Sequence, residues 1–89
     1  MNLQNDMSKI EQCPFCVMQR FPDHKDAIRH LFREDETFQA ICEDYHECTQ
    51  ALRYWRQSAS GEAPARIEEY RDLMENLEEE IIFYLKEVK

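Results

Sequence analysis

Glycine and proline are nearly missing from this chain: one Gly and three Pro stand among 89 residues. A fold of many short strands needs turn residues about every 8–12 positions, so a sandwich or barrel is excluded. One Gly also rules out a Gly-rich phosphate loop, and no nucleophile elbow or metalloprotease helix motif occurs. Basic residues are scarce as well. Eleven Lys and Arg face nineteen Asp and Glu, for a net charge of -8. That balance argues against a nucleic-acid binder, whose phosphate contacts need clustered cations, and against an anionic membrane surface. The deficit is evenly spread, with 11 acids and 7 bases over residues 1–63 and 8 acids and 4 bases over residues 64–89. No apolar run approaches the ~18 residues that would span a bilayer. Met1 to Ile10 lacks a basic stretch followed by an apolar one, so no signal peptide is visible. The expected location is the cytoplasm, where four cysteines read as free thiols or metal ligands rather than as disulfides.

What is present is helix-forming: Glu, Ala, Arg, Leu, Ile and Gln dominate. Residues 1–12 are polar and non-periodic, a loose arm that leads into the compact element Cys13-Pro14-Phe15-Cys16. Pro22 and Asp23 suit the start of a short helix from about Pro22 to Arg33, with Ala27, Ile28, Leu31 and Phe32 on its apolar face. Asp35 suits the N-cap of a second helix ending near Gln57. Its apolar positions are Phe38, Ile41, Tyr45, Cys48, Leu52 and Trp55, a heptad seam of alternating three- and four-residue steps that fits no strand. Ser58 to Ala63 has turn composition, and Pro64 restarts a helix whose seam is Ile67, Tyr70, Met74, Leu77, Ile81, Tyr84 and Val88. Leu73, Ile82 and Leu85 widen that last stripe beyond what one partner helix covers.

Two heptad helices of about 22 residues, each ~33 Å long, joined by a short loop must return antiparallel. The expected architecture is therefore all-α: an arm over residues 1–20 and a helical-hairpin domain over residues 21–89. So short a chain rarely builds a self-sufficient core, which predicts a staple or self-association, with a homodimer forming a bundle of four long helices.

The segment Phe21-Pro22-Asp23-His24, followed by Ile28, Leu31, Asp35, Phe38, Asp44 and Tyr45, resembles the small bacterial YdcH-like family. The likeness covers residues 21–88 and is strongest over 21–45, with only the helical pattern shared after the loop. It implies a short helical hairpin of bacterial source and unassigned function, and it supplies no catalytic residues. The chain departs from the family pattern at Cys48-Thr49, where a Leu-Asp pair is usual, and the Cys13/Cys16 element lies outside it.

The most specific chemical signal is Cys13-x-x-Cys16. Two thiolates two residues apart can grip one zinc ion from a tight turn, and zinc then needs two further ligands. His24, His30, Cys42, His46 and Cys48 are the candidates. His24 and His30, six apart, sit about 120° from a shared side. Cys42 and His46, four apart, share a face, so Cys13, Cys16, Cys42 and His46 form the expected Cys3His metal site; two chains could instead pool their Cys13/Cys16 pairs. A thiol redox role for the pair is the weaker reading, since no strand precedes it to build a thioredoxin-like fold. The bland alternative is two thiols in a partly ordered arm.

Cys48 lies on the seam and reads as core. Cys42 and His46 lie off it, and a His in that position is ordinarily an exposed surface residue. Glu43, Asp44 and the run Glu78-Glu79-Glu80 read as solvated. Glu68, Asp72, Glu75 and Glu79 form an acidic ridge that meets either a basic partner or, as the favoured reading, Arg53 and Arg56 of the neighbouring helix. Tyr45, Trp55, Tyr70 and Tyr84 read as core residues with polar tips near water. These observations lead to the expectation of a non-enzymatic helical module that self-associates or docks on a protein, with a zinc-stabilised domain as the alternative.

Overall fold

The computed structural model describes residues 14–87, and every regular element in that span is helical. Helix α1 occupies residues 14–20 of the described chain. Pro14 is tolerated in its first turn, where no backbone N–H is needed. The Phe21 N–H donates to the Val17 carbonyl at 2.9 Å and closes the turn. A 3-10 turn, Pro22–His24, leads into α2, Lys25–Glu34. Helix α3 is Glu36–Arg56 and α4 is Ala63–Glu87.

A single residue, Asp35, separates α2 from α3. Its N–H donates to the Leu31 carbonyl at 2.9 Å, which closes α2, and its carboxylate accepts from the Phe38 N–H at 3.0 Å, which opens α3. The expected N-cap is thus present, and Asp35 also turns the chain. The loop over 57–62 is held by short local bonds: the Ser58 and Ser60 hydroxyls accept from the Ser60 and Glu62 N–H groups, each at 3.1 Å. Gly61 sits in that loop without a positive φ, and a Cβ there would meet nothing within 4 Å.

The seams of α3 and α4 face one another. Phe38 meets Tyr84 edge to face at 5.3 Å between ring centroids, and the Tyr45 hydroxyl donates to Glu78. Partner numbers fall on α4 as they rise on α3, the order an antiparallel pair produces. Phe38, Ile41, Tyr45, Cys48 and Leu52 of the α3 seam are buried, and Trp55 at the loop end is half-buried. On α4, Leu77 and Ile81 are buried, whereas Ile67, Tyr70, Met74 and Tyr84 are half-exposed. Of the residues that widen the α4 stripe, Leu85 is buried while Leu73 and Ile82 stay exposed. Val88 lies outside the described residues.

One core serves all four helices. Val17 of α1, Ile28 of α2, Phe38 of α3 and Ile81 of α4 are each fully buried in the same cluster. Residues 14–20 therefore pack into the body, although the sequence groups them with an N-terminal arm over residues 1–20. Among the described residues no helix is long and apolar enough to cross a membrane.

Candidate functional site

Cys42 and His46 are off the heptad seam, yet both are buried: Cys42 is fully enclosed and His46 is 8% exposed. This corrects the expectation of a surface histidine. The reason is α1. At 100° per residue, Cys42 and His46 stand some 60–100° around α3 from Tyr45, away from the face that α4 covers. Helix α1 lies on that side and carries Cys16 with it.

The Cys16 Sγ lies 3.0 Å from the His46 Nδ1, across 30 residues of sequence. Burial pushes the Cys16 thiol up from its ordinary pKa, and the nearby Arg53 guanidinium opposes that shift. The protonated thiol is thus favoured at neutral pH. Such a thiol is a poor nucleophile, since reactivity follows the thiolate.

A second polar group pins α1 beside this pair. The Arg20 guanidinium donates to both oxygens of Glu78, at 3.0 and 3.4 Å, and the Tyr45 hydroxyl donates to Glu78 Oε2 at 2.7 Å. One carboxylate therefore joins α1, α3 and α4. Glu78 is half-buried rather than solvated, unlike Glu79 and Glu80 beside it. The Tyr45 hydroxyl is held well above its ordinary pKa, first by burial and then by the Glu78 carboxylate. Its one signal in the sequence is that Glu78 directly follows seam residue Leu77, on the margin of the stripe.

The remaining candidates fall elsewhere. Cys13 lies outside the described residues. Cys42 is one turn before His46 on the same side of α3. Cys48 is buried in the seam, its thiol pushed up by burial and by Asp44 and Glu47. His24 and His30 are exposed, on the 3-10 turn and on α2. Among the described residues no three His, Cys, Asp or Glu side chains already cluster as a metal cage. The arrangement is thus a part-buried thiol–imidazole pair with a further cysteine one helical turn away.

No family model matches the chain, and neither a curated protein nor a solved structure does.

Proposed function

We propose that this chain is a non-enzymatic helical module in which a zinc ion fastens the N-terminal segment to the body, with Cys13, Cys16, Cys42 and His46 as its ligands. The observation that carries the reading is the 3.0 Å approach of Cys16 Sγ to His46 Nδ1. These are two of the four ligands read from the sequence, and they belong to different helices. Zn–S and Zn–N bonds of ~2.3 and ~2.0 Å in tetrahedral geometry set sulfur and nitrogen about 3.5 Å apart. The pair has only to open by about half an ångström to admit the metal. Cys42 brings a thiol from one turn away on His46's side of α3, and Cys13 precedes Cys16 by three residues, the spacing of a two-cysteine clamp.

Binding exchanges each S–H bond for a Zn–S bond and releases the proton to solvent, so affinity rises with pH. Cys16 must give up a proton that burial helps it keep, which moves the pH needed for binding upward. The same raised pKa speaks against the thiol redox reading, which needs a thiolate near neutrality. A closed four-ligand site suits a structural role in a chain too short to stabilise itself by core alone.

The test is metal content and cobalt spectroscopy on protein purified under mild reductant. One zinc per chain is expected, with intense visible bands of tetrahedral thiolate ligation when cobalt replaces it. Cys16→Ser combined with His46→Ala should lose the metal and lower the melting temperature. A wild type that takes up no zinc from a stoichiometric solution would sink the proposal.

A further inference from the structure

Two surfaces of opposite sign remain outside the metal site. On α4, Glu68, Asp72, Glu75 and Glu79 are exposed, and among the described residues no ion pair engages them, so Arg53 and Arg56 do not pair with the ridge as the sequence reading favours. The ridge runs into two exposed apolar residues, Ile82 at 40% and Phe83 at 61%. Like charges at this spacing repel, so the ridge weakens its own helix while it stands alone.

The second surface is its complement. Two adjoining grooves of about 520 and 410 Å³ lie where α1 meets α2, and they share Phe15, Met18 and Arg29. Phe32 and Arg33 line one, and Lys25 lines the other. Phe15 is 54% exposed, a large apolar side chain left partly in water. Lys25, Arg29 and Arg33 are spaced by four, a cationic stripe of ~12 Å along α2. Among the described residues only Arg29 has an ion-pair partner, a distant 3.9 Å approach to the fully exposed Asp26. From Asp72 to Glu79 the acidic stripe is ~10 Å long, close to the cationic one.

We propose that the ridge of α4 docks on the Phe15 groove of a second copy of this chain, Phe83 entering beside Phe15 and Met18 while Asp72, Glu75 and Glu79 face Lys25, Arg29 and Arg33. The occupant is a second copy because its α4 carries both things the groove asks for: an apolar anchor and three carboxylates at matching spacing. A net charge of -8 on each copy disfavours approach in any orientation that does not bring the cationic stripe to the ridge. Ridge and groove are separate patches, so a two-fold pair makes the contact twice, each copy's ridge on the other's groove, in one isologous interface.

Charge reversal tests this with exposed residues only. Arg29→Glu with Arg33→Glu makes the groove repel the ridge, and Glu75→Arg with Glu79→Arg makes the ridge repel the groove. Light scattering after size exclusion, over a concentration series, should show a wild-type dimer and at least tenfold weaker association for each double variant. An equimolar mixture of the two variants restores opposite signs at both contacts and should dimerise like the wild type. Circular dichroism and zinc content should be unchanged in both, which separates this result from failure of the metal site. A wild type that stays monomeric at high micromolar concentration overturns the proposal, leaving the groove to residues 1–13 of its own chain or to another acidic protein. A dimer indifferent to both reversals overturns it too.

Discussion

The carboxylate of Glu78 accepts from Arg20 and from Tyr45 at once, and the two bonds differ in weight. Arg20 is 54% exposed at its side chain, so its pair with Glu78 is screened by water and contributes less than ~1 kcal/mol. The 2.7 Å bond from Tyr45 is part-buried, and a hydrogen bond to a charged acceptor is worth about 1.5–3 kcal/mol. Tyr45→Phe should therefore lower unfolding free energy by roughly that amount at pH 8, read from urea denaturation. The pH dependence has a definite sign. Folding raises the Tyr45 pKa above its unfolded value of about 10, so the contribution is intact below that pH and is lost as pH climbs through and beyond it. Wild type and Tyr45→Phe should converge above pH ~10, and parallel curves would refute the assignment. At this scale the sequence was half legible. Cys42 and His46 betray themselves by standing off a seam that packing explains. Glu78 does not, because one acid within a run of three is told apart only by the helix that happens to cover it.

Among the elements, the two long helices were readable because their apolar residues keep a strict heptad step over five or more turns. Helix α1 was not: seven described residues give no period to count, and a cysteine pair with an intervening proline reads first as a turn. The α2–α3 junction was readable in part. Asp35 announces an N-cap, but its second task, donating to Leu31 to end the preceding helix, belongs to the backbone and leaves no mark in residue type. Asp35→Ala removes the carboxylate that accepts from Phe38, and should cost about 1 kcal/mol by urea denaturation, with Asp35→Asn near wild type. Equal losses in both variants would show that the carboxylate's charge at the helix start, rather than the cap bond, is what matters.

For the whole molecule, heptad arithmetic gives the direction of α3 and α4 but not the side on which α1 lies. That choice rests on contacts between residues far apart in sequence, Cys16 with His46 and Arg20 with Glu78. If metal fastens α1, chelation should free it while leaving the longer helices paired. Limited trypsin digestion should then cut after Arg20 much faster in chelated than in zinc-loaded protein, with later sites lagging; mass spectrometry of the first fragments reads this directly. Equal rates in both states would mean that apolar packing of Val17 and Met18 alone holds the segment.

The link between α3 and α4 has an unrelated use. Its serines bond only to their near neighbours, and its one glycine adopts no conformation that other residues avoid and has open space where a side chain would go. An insertion there gives up only local bonds, those of Glu62 and Ala63 to Ser60, and each doubling of a flexible loop costs only about 0.6 kcal/mol. The bond between Ser60 and Gly61 is thus a splice point: an epitope or fluorescent reporter inserted there would report on the protein in living cells from the end of the molecule opposite Phe38 and Tyr84.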